Sequence, residues 1–121
     1  MFEIEKKFRF EAGHQLLHHD GKCSRPHGHS YTLVVKLRSE KLAPSGPKTN
    51  MVADFSDVAA AVRPMIKIFF DHQWLNETLE TDSPTAEFIA KWIFDHLEQK
   101  LPRLHSVSVW ETEGSRALYY K

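Results

Sequence analysis

The segment Cys23-Ser24-Arg25-Pro26-His27-Gly28-His29-Ser30-Tyr31 constrains this chain more than any other stretch. It joins the only cysteine to two histidines one residue apart and leads into the best strand-like run. Side chains at i and i+2 of an extended segment share a face, with Cα atoms roughly 6–7 Å apart. His27 and His29 can therefore turn both imidazoles toward one ion, and Gly28 between them lets the backbone bend. His14 is the leading third ligand, because it ends the run "FRFEAGH" on the parity of Phe8 and Phe10. Three neutral imidazoles that leave a fourth position open are the donor set of a catalytic zinc. Two rival readings fit the same residues. His-x-His can be a surface pair at a strand end, or Cys23 can join the three histidines in a closed, four-ligand structural site.

Composition narrows the partners. The 121 residues suit a single domain, 1–121, large enough for one core. Lys+Arg and Asp+Glu both number 16, so no basic field invites nucleic acid. Near-zero charge also removes one barrier to self-association. One cysteine cannot form an intrachain disulfide, and "MFEIEKKFRF" alternates charge with apolar residues where a signal peptide would be continuously apolar. No apolar run approaches the roughly 20 residues of a membrane span. A cytoplasmic protein with no membrane and no nucleic-acid partner is the expectation.

Periodicity supplies the elements. Residues 2–12 read as a strand, with Phe2, Ile4, Phe8 and Phe10 on one parity and Lys6 interrupting it. Residues 13–28 read as a loop. Residues 29–38 form a second strand whose Tyr31, Leu33, Val35 and Leu37 share the parity of His27 and His29. The segment 39–50 turns at Pro44-Ser45-Gly46-Pro47. Ser56 is the expected N-cap of a helix that buries Val58, Val62, Met65, Ile66 and Phe69, with a kink or break at Pro64. A polar connection spans 71–82. Ser83 then caps a second helix with Pro84 at its first position, burying Ile89, Trp92, Ile93 and Leu97 and ending at Leu101-Pro102. Strands at 104–112 and 116–120 follow, around the turn Glu113-Gly114-Ser115. The order β-β-α-α-β-β predicts an α+β domain, an antiparallel sheet with two helices on one face and two open edges.

Several polar residues stand out. In Asp71-His72 the acid can orient an imidazole that shuttles protons, or the pair is a surface feature. Cys23 is four residues from His27, where a nearby cation would favour thiolate; otherwise it is a small buried hydrophobe. Glu111 shares a strand face with Val107 and Val109, so it is either at an exposed strand end or held in a pocket. A pocketed carboxylate can grip a guanidine-like edge, as in a pterin or guanine. His18, His19, His96 and His105 are expected on the surface or at element ends.

The pattern "FEAGH…C-x3-HGHSY…DF…DHxxLN…SPTAE…ET" closely resembles the 6-pyruvoyl-tetrahydropterin synthase family over nearly the whole chain. The three-residue gap between Cys23 and His27, with Asp54-Phe55, resembles its bacterial branch, the 6-carboxy-5,6,7,8-tetrahydropterin synthases of queuosine biosynthesis. The loop from His14 to Cys23 is short for that branch. The resemblance implies a tunnelling fold (T-fold) in which three subunits close their sheets into a barrel and two trimers form a homohexamer with shared active sites. It implies Zn2+ on His14, His27 and His29, and Cys23 as proton acceptor. Asp71 and His72 would form a relay reaching the thiol across a subunit boundary. Glu111 would anchor the pterin, and Thr85 would lie beside the pterin pocket. The implied lyase converts 7,8-dihydroneopterin triphosphate to 6-carboxy-5,6,7,8-tetrahydropterin, releasing acetaldehyde and triphosphate. No external reductant is needed, in keeping with the lack of a G-x-G-x-x-G fingerprint. The alternatives are 6-pyruvoyl-tetrahydropterin synthase, which eliminates triphosphate without cleaving the side chain, and a non-catalytic zinc-binding assembly module.

Overall fold

The longest pairing in the molecule joins β1 (Phe2–His14) to β2 (His27–Ser39) in a computed structural model that describes residues 1–121. The two strands run antiparallel from Phe2↔Ser39 to His14↔His27. Both continue into the stretch expected to be loop. Gly13 and Gly28 oppose each other there, and glycine carries no strand signal. Their bareness has a use. A Cβ on Gly13 would sit 3.1 Å from the Trp74 ring, and one on Gly28 would sit 3.3 Å from the Ala12 carbonyl oxygen. Along β1, Phe8, Phe10, Ala12 and His14 are buried while Glu5, Lys7, Arg9 and Glu11 are exposed. On β2, Tyr31, Leu33, Val35 and Leu37 turn to the same core as their β1 counterparts.

β4 (Leu104–Thr112) pairs with the other side of β2, and β5 (Ser115–Tyr120) with β4. A two-residue β3 (Gln73–Trp74) lies parallel to β1, giving the order β3-β1-β2-β4-β5. The sheet thus has five strands where the sequence predicts four. β3 and the one-turn α2 (Leu75–Thr78) fall in the expected polar connection, and both are too short to show a period. Among the edges, β5 is open, and β1 is covered by β3 only opposite Ala12 and Gly13.

α1 (Phe55–Met65) and α3 (Ala86–Leu97) supply Val58, Val62, Met65, Ile89, Ala90, Ile93, Phe94 and Leu97 to one core shared with the sheet. Trp92, expected to be buried, is only partly so, and Phe94 takes the inner position. Both expected N-caps shift by two residues. Asp54 caps α1, accepting from the Ser56 amide at 2.9 Å, and Thr85 caps α3, accepting from the Phe88 amide at 3.1 Å. The α-helix ends at Met65, one residue past Pro64, where a kink or break is expected. One residue after Met65 the winding widens into a π turn, Ile66–Phe70, closed by Asp71 N–H donating to the Ile66 carbonyl at 2.7 Å. This turn buries Phe70 and delivers Asp71-His72 to the β1 edge, with His72 at φ 58°. Two histidines expected on the surface or at element ends have neighbours that no sequence pattern names. His96 stacks on Trp92 at 5.1 Å, and His105 lies 3.2 Å from the Arg38 guanidinium. No helix is long and apolar enough to cross a membrane.

The Asp54 cap generates a stability prediction. Its carboxyl is held well below the usual range, first by Lys48 and then by the Ser56 hydroxyl and amide. A carboxyl lowered in the folded state stabilises that state above its unfolded value, and the stabilisation is lost as pH falls. The gap in urea stability between wild type and Asp54→Asn should be full above about pH 4 and close below it. A gap that is unchanged down to pH 2 would contradict this role.

Candidate metal centre

Three imidazoles meet at the end of the β1–β2 ladder. The cross-strand pair His14↔His27 and the i+2 neighbour His29 bring their ring nitrogens within 4.8 Å of one another. Ring centroids are 4.5 Å apart for His14–His27, 5.0 Å for His14–His29 and 4.9 Å for His27–His29. His14 is fully buried, and its Nδ1–H donates to the Pro84 carbonyl at 2.8 Å. His27 Nδ1–H donates to the Arg25 carbonyl at 2.7 Å. A carbonyl only accepts, so both rings carry a proton on Nδ1, and Nε2 is the nitrogen left either to bind a metal or, on His14 without one, to carry a second proton toward Glu111. His14 Nε2 and His29 Nε2 are 3.1 Å apart. Two nitrogens of a tetrahedral zinc site with ordinary bond lengths are about 3.3 Å apart, so the spacing suits such an ion.

Glu111 enters from β4 on the same face. Its Oε2 lies 3.2 Å from both His14 Nε2 and His29 Nε2. The carboxyl is lowered first by a hydrogen bond from His14 and then by charge on the imidazoles, against the opposing effect of burial. Burial lowers His29, partly offset by Glu111. An imidazole nitrogen cannot both donate to Glu111 and ligate a metal. A cation at the centre would replace that proton and balance the same carboxylate. Tyr31 completes the inner wall. Its fully buried hydroxyl sits 3.3 Å from His14 Nδ1, and burial together with Glu111 keeps the phenol un-ionised.

Cys23 is half-buried in a short 3-10 turn, Lys22–Ser24. It lines a cavity of about 420 Å³ with His27 and His29, but it is not among the converging ligand atoms. The turn is tied from both sides. Leu16 N–H donates to the Cys23 carbonyl at 2.9 Å, and Gln15 Nε2 donates to the Ser24 carbonyl at 2.8 Å. Gln15 is itself clamped by Asn76, whose amide takes the Gln15 N–H at 2.8 Å and donates to the Gln15 carbonyl at 2.7 Å. Sequence reasoning assigns no role to Gln15, Asn76, Tyr31 or the Pro84 carbonyl. Asn76 lies in the "DHxxLN" block, the only signal that could have pointed to it.

Asp71 orients His72 as expected. Asp71 Oδ2 accepts from His72 Nδ1 at 2.9 Å, while Oδ1 accepts from the Glu11 amide at 3.0 Å. His72 is exposed and shares a shallow cleft with His27, His29 and Trp74. That cleft does not include Cys23, so within one chain Cys23 and His72 each lie beside the imidazoles but line different cavities. Thr85 follows Pro84, whose carbonyl holds His14, and its hydroxyl is engaged as a helix cap. His18 and His19 are exposed, with His18 paired to Asp82 at 2.8 Å.

An α+β tunnelling-type fold with three histidines at one end of its sheet defines a class of pterin enzyme. The profile described as 6-pyruvoyl tetrahydropterin synthase matches residues 3–121, and the chain belongs to that family. It is 50% identical over 121 residues to the 6-carboxy-5,6,7,8-tetrahydropterin synthase of Synechocystis, covering 99% of this chain and 94% of the relative. The 6-carboxy-5,6,7,8-tetrahydropterin synthase of Haemophilus influenzae is 36% identical over 140 residues, covering 98% and 99%. Among solved structures, 6-pyruvoyl tetrahydropterin synthase of Caenorhabditis elegans superposes with a TM-score of 0.83 at 27% identity, covering 99% and 95%.

Elemental analysis should find one metal ion per chain, and His27→Ala should lose it. Full occupancy in that variant would remove His27 from the ligand set. Asn76→Ala should keep the metal yet lower stability by about 1–3 kcal/mol, because it strands the Gln15 backbone groups. Urea titration of the metal-loaded protein reads this, and an unchanged midpoint would deny the clamp.

Proposed function

We propose that this protein converts 7,8-dihydroneopterin triphosphate to 6-carboxy-5,6,7,8-tetrahydropterin, releasing acetaldehyde and triphosphate, as a step of queuosine biosynthesis. The convergence of His14, His27 and His29 beside a half-buried Cys23 carries this reading. The names borne by the Synechocystis and Haemophilus relatives favour the carboxy product. His14, His27 and His29 would hold Zn2+, which when bound acts as a Lewis acid toward the oxygens of the substrate side chain.

The chain's own residues do the rest. Cys23, fixed by Leu16 and Gln15, takes a proton from the side chain. His72 carries protons at Nε2, because Asp71 holds its Nδ1–H. Glu111 pairs with the amino-pyrimidinone edge of the pterin through two charge-assisted hydrogen bonds. Thr85 borders the pterin at the start of α3. Cys23 and His72 open to different cavities within one chain, which favours a site completed by a neighbouring subunit. The sparsely covered β1 edge and the open β5 edge suit closure into a homohexamer. A lone cysteine, which cannot form an intrachain disulfide, suits the cytoplasm.

Incubation of the zinc-loaded protein with dihydroneopterin triphosphate and no reductant tests the reading. Acetaldehyde should equal the substrate consumed. A pyruvoyl product without acetaldehyde would move the protein to the other branch. Cys23→Ala should keep its zinc and lose turnover by roughly 10²-fold or more, the usual cost of a positioned acid–base group. Release of zinc from that variant would instead favour the closed, non-catalytic site.

A further inference from the structure

The cavity at Cys23 is lined by Lys22, Cys23, Arg25, Pro26, His27 and His29. No acidic side chain lines it, although the chain as a whole has as many acids as bases. Lys22 and Arg25 are exposed, and neither takes part in the molecule's ion pairs, whereas Lys36, Arg38, Lys48, Lys91 and Lys121 all do.

The backbone beneath these two cations is fixed. Ser24 N–H and Arg25 N–H donate to the Gly21 and Lys22 carbonyls at 3.1 and 3.0 Å, and Ser24 Oγ donates to the Gly21 carbonyl at 2.9 Å. Arg25 precedes a proline and has the extended backbone that a proline enforces, φ −93° and ψ 151°. Its carbonyl holds the ring of His27. The two cationic stems therefore rise from a hydrogen-bonded turn whose Arg25 carbonyl holds His27.

We infer that Lys22 and Arg25 form a polyanion subsite that binds the triphosphate group of the substrate, both as the ester and as the released product. The inference rests on the function proposed above. In that substrate the phosphate ester is one carbon beyond the two hydroxyl-bearing carbons. A side chain seated over the imidazoles must place its triphosphate within a few atoms of them. The acid-free cavity at Cys23 offers two unpaired cations lining the same space as His27 and His29. The shallow cleft on the other side of His27 and His29 presents Glu11 and no Lys or Arg. Arg25 can engage phosphate oxygens bidentately, and Lys22 adds a mobile point charge.

The test uses zinc-loaded protein and two probes, inorganic tripolyphosphate and 7,8-dihydroneopterin without phosphate, with binding read by calorimetry. Lys22→Gln and Arg25→Gln should each weaken tripolyphosphate binding by roughly tenfold, as expected for charge-assisted contacts at an exposed site. Arg25→Lys should recover part of the loss. Zinc content and dihydroneopterin binding should stay at wild-type values, which also shows that the variants are folded. Tripolyphosphate binding as tight in the double variant as in wild type overturns the subsite. If wild type meanwhile converts the triphosphate substrate, the subsite alone fails. Wild type that cannot convert that substrate overturns the functional reading and the subsite with it.

Discussion

The register of β1 against β2 is the constraint on which the site depends. Thirteen paired positions fix His14 opposite His27 and place His29 on the same face. A slip of one residue would turn His27 and His29 to the outer face and expose Tyr31, Leu33, Val35 and Leu37 with them. The histidine cluster is therefore held by the same hydrophobic burial that holds the sheet. The stack of Phe10 on Tyr31 at 5.0 Å, four positions from His14 on β1 and two from His29 on β2, locks the register where the site needs it.

Around that rigid end the remaining polar groups differ in how firmly they are held. His14 is fully buried and tied to Pro84; His27 is tied to Arg25. Cys23 owes its position to a relay of hydrogen bonds, from α2 through Asn76 and Gln15 to Ser24. His72 stands exposed on a left-handed residue at the sheet edge, oriented by Asp71. The histidines of the cluster are held by burial and by backbone carbonyls, whereas Cys23 and His72 are held by polar ties near the surface. This gradient suits the function proposed above, in which ligand geometry stays fixed while the proposed proton carriers meet substrate.

What could be read from the sequence follows the physics of periodicity. His14, His27, His29 and Glu111 lie on strands, where period-two parity tells which side chains share a face, so all four were legible before any coordinates. Both main helices showed through their apolar faces. The N-caps did not, because Asp54 competes with Ser56, and Ser83 with Thr85, within two residues. The clamp between Gln15 and Asn76 was invisible, since it joins side-chain amides to backbone across 61 residues and leaves no repeat. Pro64 signalled a break in helical hydrogen bonding, but the π turn that answers it depends on how Phe70 packs between Phe10 and Trp92. β3 needed the whole π turn in place before it could reach β1.

Three imidazoles, and no thiolate, are expected to form the protein's share of the coordination shell. X-ray absorption at the zinc edge of the metal-loaded protein measures this directly. Three histidine nitrogens at about 2.0–2.1 Å with a light-atom fourth ligand is the predicted shell. A sulfur scatterer at about 2.3 Å would show that Cys23 closes the site, and would contradict the account.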